Sequence, residues 1–521
     1  MKSYIAALFA TFLAASSSFA ATSITQHHIT WTFDKDYPVG KFVNGDWYVV
    51  GPAKIVSITN DLNDKSFLPE DGTAVNGSMI NPTITPGKKF GDTRQGYDER
   101  IRDYVPEFNA AMPNDKPLSA DNPLVLKPDQ SLISVVSFLW RGDGMEESDR
   151  EEGCRKPQPK AIGGVPTPTL RAAAVLTCLD KAPPEGTFRP AYAGDEKRLF
   201  NVKQLRLDRL GKLDPVGPVT FEPTGASYPN INYHSASIPQ LIETTTPVWL
   251  DHIPSWWGWF VFNPLLNLPN YGREKAHILI HSMLALNLDW DKIEGAPAQP
   301  DKMPLLINIV QIGIDLAGIA DAGGEWTEDG GHGHARKPAI LFAGLLLDDA
   351  HMKSVGQWKT PFQENNQTFY VSESDVEICE SEGWKADAEN RRAKGQLVAP
   401  YTKDMIGMPE WNFSRVRIGP GCNAAWQIAY RSINNSAIGG FSLVFNMMED
   451  GKKLFNHDAY FDYADRVQSR DQELTSKDQS NRMPAFPMAM WREYRDKYPS
   501  TYDAKKWDDE AILDAIHPEK E

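Results

Sequence analysis

The sequence lacks the short motifs that mark several common enzyme classes. It contains no G-x-S-x-G nucleophile motif, no phosphate-binding P-loop, no dinucleotide-binding glycine fingerprint and no EF-hand calcium loop. Because these motifs bring a nucleophile, a phosphate or a calcium ion to defined backbone positions, their absence disfavours serine hydrolase and nucleotide-dependent chemistry. A catalytic triad can still form from residues far apart in the chain, so that alternative stays open.

The chain also has few basic residues for its size. Its 54 Lys and Arg are outnumbered by 69 Asp and Glu, which gives a formal net charge of −15. A strongly acidic protein repels nucleic acid and anionic membrane surfaces, so we expect neither as a general partner. An anionic substrate would need a local cluster of basic side chains.

Long apolar runs are rare and concentrated at the N-terminus. Residues 1–20 carry one basic residue, Lys2, then a run of apolar residues and the small-residue ending Ser18-Phe19-Ala20. This pattern predicts a secretory signal peptide that is removed before Ala21, and therefore a periplasmic or secreted protein. No other stretch approaches about 20 uninterrupted apolar residues, so we expect no membrane span.

Cysteine is scarce, with four residues in a chain of 521. An even number in an oxidising compartment predicts the disulfides Cys154–Cys178 and Cys379–Cys422, because these pairings keep each bridge within one domain. Free buried thiols are the alternative. The spacing does not resemble a zinc ribbon.

Two regions with different residue patterns follow the signal peptide. Residues 21–225 contain short β-branched runs separated by Pro, Gly, Asn and Asp, which predicts an antiparallel β-sandwich-like domain. Residues 226–521 have helical periodicity and polar connections, which predicts stacked helical hairpins and an α+β fold overall. Helices are expected at about residues 238–250, 273–288, 304–320, 338–355, 423–432, 436–449, 457–468 and 487–497.

A glycine-rich loop between two of the apolar helical runs is the most informative stretch. A plain connector needs only small polar residues, whereas this loop concentrates titratable and aromatic groups, so we predict that it forms the working site. These groups are Glu325, Trp326, Glu328, Asp329, His332, His334, Arg336 and Lys337.

The helix before this loop carries one polar stripe on an otherwise apolar surface. Asn308, Gln311 and Asp315 follow i, i+3, i+7 spacing and therefore share a face. Two outcomes are predicted for the stripe: it lines a polar cavity, or it bonds to neighbouring helices.

The start of the helix after the loop is marked by Pro338. Proline is tolerated only in the first turn, which places the helix start near Lys337. Arg336 and Lys337 then lie at the positive end of the helix dipole, where anions are favoured. Their positions predict a bound anion such as a carboxylate or sulfate, and the alternative is a salt bridge to an acidic residue of the same loop.

Other candidate groups lie outside the loop. Asn232, Tyr233 and His234 lie at the domain junction, where clefts commonly form. Glu410 and Trp411 make a second Glu-Trp pair like the one in the central loop. For each group the alternative is helix capping or a local hydrogen bond.

A metal site is a weaker hypothesis. His332 and His334 form an H-x-H pair that could ligate a metal, with Glu325 or Asp329 completing the site. Many loops contain two histidines, so we expect no cofactor.

Helical hairpins with chemistry on their loops, together with a separate β domain in an exported protein, resemble the (α/α)-toroid polysaccharide lyases and related glycoside hydrolases. The resemblance covers about residues 227–497 and rests on this layout. Here the β domain precedes the helices, whereas several toroid lyases place it after them. The recognisable helices are fewer than six hairpins require, so the predicted helical domain is an incomplete toroid.

The resemblance implies β-elimination on a uronate-containing polysaccharide or oligosaccharide. In such lyases Asn, Arg or His neutralises the uronate carboxylate, and His or Tyr removes the adjacent ring proton, a task for a group poised near working pH. The catalytic residues predicted here are His334, His332, Tyr233, His234 and Glu325. The substrate-binding residues predicted here are Arg336, Lys337, Asn232, Trp326, Glu410 and Trp411.

Two alternative functions remain. A glycoside hydrolase would use a pair of carboxylates from Glu325, Asp329, Asp404 and Glu410, at a separation that decides between retention and inversion. A non-catalytic glycan-binding protein would bind sugar through its aromatic residues and show no turnover. Similarity of fold layout cannot choose among the three functions.

Overall fold

The computed structural model describes residues 19–62, 75–83, 105–139, 168–222, 236–252, 273–327, 331, 333–396, 398–412, 424, 429–469, 483–507 and 512. Within these ranges the protein is α+β, with a curled N-terminal sheet followed by a helical region. The predicted α+β class is confirmed. The predicted boundary between residues 225 and 226 lies outside the described residues.

Eight strands form the N-terminal sheet. They are β1 (Phe19–Gln26), β2 (Ile29–Lys41), β3 (Trp47–Val50), β4 (Ala53–Asn60), β5 (Gly77–Ile80), β6 (Leu124–Leu126), β7 (Gln130–Leu139) and β8 (Pro168–Leu179). Their order is β5-β7-β8-β3-β2-β4-β6, with β1 added along β2. The long β2 pairs with β4 through its first residues and with β3 through its last three. Because two strands share one side of β2, the sheet curls as well as twists.

Strands β7 and β8 are buried on both faces. Alternate residues of β7 and β8 point to opposite sides. Leu132 and Leu176 join a core that the curled sheet encloses, whereas Ile133 and Val175 join the larger core that the helices fill. We expected a sandwich-like domain, but the layer that covers this second face is helical. A nearly continuous apolar run such as that of β8 indicates that both faces are buried but does not reveal what covers them.

The helical region contains helices of very different lengths. They are α1 (Ile238–Thr245), α2 (Arg273–Leu286), α3 (Met303–Asp321), α4 (Arg336–Leu347), α5 (Ala350–Lys353), α6 (Gln363–Gln367), α7 (Glu373–Glu380), α8 (Glu382–Ala393), α9 (Ala429–Met447), α10 (Gly451–Phe455), α11 (Asp458–Ser469), α12 (Ala485–Tyr494) and α13 (Ala504–Trp507). Two short strand pairs accompany them: β9 (Val219–Thr220) with β10 (Ala236–Ser237), and β11 (Thr368–Tyr370) with β12 (Pro409–Trp411).

Several predicted helices coincide with observed ones, and two predictions differ. The helix after the central loop begins at Arg336, close to the start that Pro338 indicates. The two runs expected at residues 423–432 and 436–449 are one helix across residues 429–447, so Asn434 lies inside α9 and not between two helices. Asn434 is fully buried, so tertiary contacts outweigh its weak helix propensity.

The hairpin of α3 and α4 forms the centre of the helical core. Gly313 allows the two helices to approach closely, because a Cβ at this position would lie 2.4 Å from the Ala343 Cβ and 2.5 Å from the Ala339 carbonyl oxygen. Helix α3 is long and apolar enough to cross a membrane, with a mean hydropathy of 1.7, but 83% of its most apolar stretch is buried inside the protein.

Arg189 connects the sheet to the helical region. Its Nε donates to Asp46 Oδ2, in the turn before β3, at 2.5 Å. Its Nη1 and Nη2 donate to the two carboxylate oxygens of Asp315 on α3, at 2.8 and 2.6 Å. The guanidinium is 1% exposed, so this ion triad is shielded from water.

Both outcomes predicted for the polar stripe of α3 are seen in part: its residues bond to neighbouring elements, of which only α1 is a helix, and all three line a small cavity beside Arg189. Asp315 binds Arg189, and Gln311 Nε2 donates to the Arg189 carbonyl oxygen at 3.0 Å. Asn308 Nδ2 lies 3.2 Å from Thr245 Oγ1 and from the Ile242 carbonyl oxygen, both on α1.

We expect replacement of Arg189 by Met to lower the free energy of unfolding by about 3–5 kcal/mol, because two buried carboxylates would lose their counter-ion. Denaturant titration would measure the change. Arg206→Met is the matched control, since Arg206 pairs with Asp208 at the exposed surface and should change stability little. Equal losses in the two variants would contradict the structural role of Arg189.

Candidate functional site

Two side chains of α6 hold the backbone on either side of His334. The Gly333 N–H donates to Gln363 Oε1 at 2.5 Å, and the Ala335 N–H donates to Glu364 Oε1 at 2.7 Å. We call residues 333–335 the His334 turn. Because successive residues of one helix bind both flanks, the position of the turn depends on α6.

The His334 turn has an unfavourable backbone conformation. Ala335 has φ of 88°, in the left-handed region that non-glycine residues rarely adopt. It is also the N-cap of α4 and has no side chain that can cap the helix. Glu364 accepts a hydrogen bond from the N–H of Ala335 itself, and such local strain is common where a structure must present a functional side chain.

Asn434 fixes the imidazole ring of His334. Asn434 Oδ1 lies 2.5 Å from His334 Nε2 and also accepts a hydrogen bond from Gln363 Nε2 at 2.9 Å. An oxygen that accepts from an amide requires Nε2 to carry the ring proton. His334 Nδ1 is then an unprotonated nitrogen, buried and without a hydrogen-bond partner in the described part of the chain.

Burial is the main cause that lowers the pKa of His334 to about 4; the hydrogen bond that the ring donates to Asn434 raises the pKa, and the charges of Arg336 and Lys275 lower it. The imidazole is therefore neutral at pH 7. A neutral imidazole with an available lone pair can accept a proton or bind a metal.

A small cavity lies beside His334. It measures about 10 Å³, which is room for roughly one water molecule. His334, Arg336, Asp251 and Lys275 line it together with apolar residues of α2 and α3. Charged side chains and the neutral, proton-accepting imidazole of His334 therefore share one enclosed space.

Arg336 binds a carboxylate that the sequence analysis did not identify. Its Nε and Nη2 donate to the two oxygens of Asp251 at 2.6 and 2.7 Å, and Nη1 donates to the His334 carbonyl oxygen at 3.0 Å. Asp251 follows α1 and is therefore a carboxylate from outside the loop. In this state the guanidinium orients the His334 turn.

Lys337 is buried next to α6. Its Nζ donates to Asn365 Oδ1 at 2.6 Å and lies 4.0 Å from the centre of the Phe455 ring. Burial lowers the pKa of Lys337, and burial raises the pKa of Glu364, which interacts with it electrostatically. Glu364 Oε2 is also buried and unbonded within the described ranges. Both groups are thus driven towards their neutral forms.

Helix α2 brings a second buried histidine close to the first. His277 Nε2 lies 2.9 Å from Ser436 Oγ on α9. Burial lowers the pKa of His277 well below its ordinary value, and the charges of Arg273, His281 and His334 act in the same direction. The site therefore contains two neutral imidazoles on different elements.

A chain of hydrogen bonds links the His334 site to Glu410 and Trp411. Gln363 Nε2 donates to Gln367 Oε1 at 2.9 Å, and Trp411 Nε1 donates to the same oxygen at 3.2 Å. The Trp411 N–H in turn donates to Glu410 Oε1 at 2.7 Å. The structure therefore joins two separate predicted groups through one buried network.

Glu410 itself is enclosed by cations. Arg431 Nη1 donates to its Oε1, and Arg466 Nη1 lies 3.3 Å from its Oε2. All three side chains are fully buried. Trp411 is 1% exposed, with the Arg431 guanidinium 5.7 Å from its ring centre, so in this state neither residue presents a surface to a sugar.

The remaining predicted residues fall into two groups. Trp326 is 3% exposed and stacks on Phe362 at 5.8 Å, and Glu325, beside it, is partly exposed. Four others lie outside the described residues, namely His332, Asn232, Tyr233 and His234.

The described cysteines and potential metal ligands can be placed as follows. Cys178 is buried on β8 and is not bridged to another described cysteine, and Cys379 is buried and accepts a hydrogen bond from the Tyr401 N–H. Cys154 and Cys422 are outside the described ranges, so both disulfides stay predictions. Across the residues with described positions, no three His, Cys, Asp or Glu side chains gather to hold a metal.

The sequence analysis missed the groups that surround His334. Asp251, Gln363 and Glu364 were not identified, and the predicted helices placed Asn434 between two helices. A usable signal existed in the polar run Gln363-Glu364-Asn365-Asn366-Gln367, which has too many amides for a plain turn. Polar residues at i, i+4, i+8 of the apolar α2, positions 273, 277 and 281, were a second signal.

Comparison with known proteins gave no match for this chain among family models, curated proteins or solved structures. The functional argument therefore depends on the site itself.

We expect acid to destabilise the protein strongly between pH 6.5 and 4. Buried histidines with lowered pKa values bind protons only after unfolding in this window, so stability is present above pH 6.5 and is lost as the pH falls. They are His252, whose pKa is about 3, His277, and His281, His334 and His457, whose pKa values are about 4. The raised pKa of Glu364 offsets part of this effect.

Denaturant unfolding at several pH values would measure proton uptake as the slope of stability against pH. Each histidine contributes up to about 1.4 kcal/mol per pH unit. His281→Leu should reduce the slope by about one proton, because His281 lies outside the Glu364 interactions. Constant stability from pH 7 to pH 5 would refute the expectation.

Proposed function

We propose that this protein is an exported enzyme that cleaves a uronate-containing polysaccharide by β-elimination. The observation that carries the proposal is the state of His334. Its ring is fixed by Asn434, its Nδ1 is unprotonated and unbonded within the described residues, and its pKa keeps it neutral. A positioned neutral imidazole can accept a proton, and a bound uronate carboxylate would raise its pKa from about 4 towards the working pH that a general base needs.

The proposed reaction uses this nitrogen to remove a proton from carbon 5 of a uronate. The electron pair of that C–H bond forms a double bond to carbon 4. The bond between carbon 4 and the glycosidic oxygen breaks, its electron pair stays on the oxygen, and the oxygen takes up a proton from water or from the protonated His334. Negative charge develops towards the carboxylate during this step. Lys275 and Arg336 line the same cavity as His334, together with Asp251 and Asp315. The two cations would stabilise the charge of the transition state only if the substrate carboxylate competes with these aspartates for them.

Substrate binding must enlarge the cavity. One water-sized space cannot hold a sugar ring, since ligand sites usually measure about 300–1,000 Å³. The proposed reaction therefore includes an opening step before proton transfer, as in many enzymes that exclude water from the reacting groups.

The environment of Glu410 favours elimination over hydrolysis. A glycosidase needs two carboxyl groups facing the same bond. Glu410 is bound by two arginines and a backbone N–H, whereas Asp404 is exposed in the turn Lys403–Met405. Asp329 lies outside the described residues. A hydrolase would have to break a buried ion cluster before Glu410 could act.

The proposal also includes the finer architecture and the export signal. We propose that the helical region is an incomplete (α/α) toroid, with α3 and α4 as one of its hairpins. Removal of residues 1–20 would take Phe19 and Ala20 from β1 and leave its pairs with β2 from Ala21 to Gln26. The strand therefore tolerates cleavage at the proposed site.

We expect His334→Ala to lower turnover about a hundredfold or more without a matching loss of stability. The assay incubates the mature protein with polygalacturonate, alginate and a neutral glucan. It follows ultraviolet absorbance from the new double bond alongside reducing ends, and thermal midpoints report folding. His351→Ala is the control, since His351 pairs with Asp321 away from the site. Reducing ends without absorbance would show hydrolysis.

Glu325→Gln separates the two enzymatic hypotheses. Under elimination, activity should fall but survive, because Glu325 is not the base. Under a carboxylate-pair hydrolysis in which Glu325 takes part, activity should collapse. Steady-state kinetics on whichever polysaccharide is cleaved would decide.

We expect Asn434→Asp to move the acid limb of the kcat/KM pH profile to higher pH. A carboxylate beside Nε2 stabilises the protonated imidazole and raises its pKa. A purely structural role of Asn434 would lower activity at every pH and leave the shape of the profile unchanged. An unshifted profile would therefore argue against His334 as the base.

A further inference from the structure

An open cavity of about 690 Å³ lies at the far end of α6. Three parts of the helical region line it: the last residues of α6, strand β11 and the segment that joins α10 to α11. The polar side chains on its wall include Asn365, Asn366, Tyr370, Lys453, His457 and Asp458. The volume is sufficient for one or two sugar rings.

Tyr370 presents a fixed aromatic surface to this cavity. It is 39% exposed, which is rare for a large hydrophobic side chain among the described residues. Its hydroxyl donates to Asp462 Oδ2 at 2.6 Å. Since the hydroxyl is anchored, the ring is oriented before any ligand arrives, and ordering it on binding costs little entropy.

The hydrogen-bonding groups of the cavity are oriented in the same way. Asn365 Oδ1 accepts from Lys337 Nζ at 2.6 Å, which leaves the Asn365 amide NH₂ as a donor. His457 Nε2 lies 3.0 Å from the Thr368 carbonyl oxygen, so Nε2 is the donor and Nδ1 the acceptor. Burial also lowers the pKa of His457 to about 4, which keeps the ring neutral.

A flat aromatic ring, neutral donors and acceptors, and one cation are the groups that recognise an acidic sugar. Aromatic faces stack on the apolar faces of sugar rings. The Asn365 amide and the His457 ring match hydroxyl groups, and Lys453 matches a carboxylate. Asp458, at the start of α11, can accept a hydrogen bond from a further hydroxyl.

We infer that this cavity binds one or two sugar rings of a uronate-containing chain, at a site separate from His334. The inference rests on the proposed function for its ligand class. The two sites share α6: its first two side chains hold the His334 turn, and its later residues Asn365 and Asn366 line the cavity. Sugar bound there would therefore contact the helix that positions the base.

The test measures binding of four-sugar fragments of polygalacturonate, alginate and cellulose by titration calorimetry, in a His334→Ala background that prevents cleavage. Tyr370→Ala should weaken binding of an acidic fragment about tenfold, the loss expected from one aromatic contact. Tyr370→Phe keeps the ring and should stay within about threefold. Lys453→Ala should weaken binding of the acidic fragments and leave any binding of the cellulose fragment unchanged.

Thermal midpoints would show whether each variant is folded, and Asn366→Ala provides a second cavity variant if Tyr370→Ala is unstable. Unchanged affinity in the folded Tyr370 and Asn366 variants would overturn the inference, and so would the absence of binding by all three fragments. Equal losses for acidic and neutral fragments in Lys453→Ala would overturn the assignment to uronates.

Turnover of the polymers by the protein with His334 intact distinguishes this inference from the proposed function. If no double bond forms but fragment binding depends on Tyr370 and Lys453, the cavity is a uronate site and elimination is wrong. If elimination occurs and Tyr370→Ala changes neither KM nor fragment affinity, the proposed function stands and the cavity assignment fails. If elimination occurs and Tyr370→Ala raises KM by a larger factor than it lowers kcat, both the proposed function and the cavity assignment are supported.

Discussion

Two hydrogen bonds from α6 to the backbone of the His334 turn are the constraint on which the site depends. The side chains of Gln363 and Glu364 accept from the N–H groups immediately before and after His334. Gln363 also donates to the Asn434 oxygen that accepts the hydrogen bond from the imidazole. One short helix thus determines the path of the turn and the direction of the ring. The left-handed Ala335 fits this arrangement, because only a restrained turn keeps an unfavourable φ.

Buried carboxylate–guanidinium clusters surround this centre. Asp251 binds Arg336, Asp315 and Asp46 share Arg189, and Glu410 lies between Arg431 and Arg466. Such pairs contribute little net stability, since desolvation opposes the attraction between the charges. They do fix the orientation of the side chains, because a planar guanidinium binds a carboxylate in only a few geometries. These clusters are therefore better explained as fixing the geometry around His334 than as adding to the free energy of unfolding.

The sequence predicted the features that neighbouring residues determine. Pro338 indicated the start of α4, apolar periodicity indicated α2 and α3, and the density of titratable groups pointed to the loop that carries His334. It did not predict Asp251 as the partner of Arg336, or Asn434 as the partner of His334. These pairs are separated by 85 and 100 residues, and no local pattern specifies which distant polar group will face which. Helix α8 was missed for another reason. Only Ala388 of this helix is buried, so the sequence has no apolar stripe that would mark it, and only the Ser381 cap indicates its start.

The two-sided burial of β7 and β8 has a consequence for how this chain can change over time. The residues of β7 and β8 that face the helices belong to the same core as those helices. Arg189 also binds one carboxylate from each of the two regions. If the sheet were separated from the helices, it would expose an apolar surface, and α3 would keep Asp315 without its counter-ion. The sheet and the helical region are therefore not interchangeable modules. A gene fusion or deletion that moved one without the other would expose this apolar surface to water, so we expect such a fragment to aggregate.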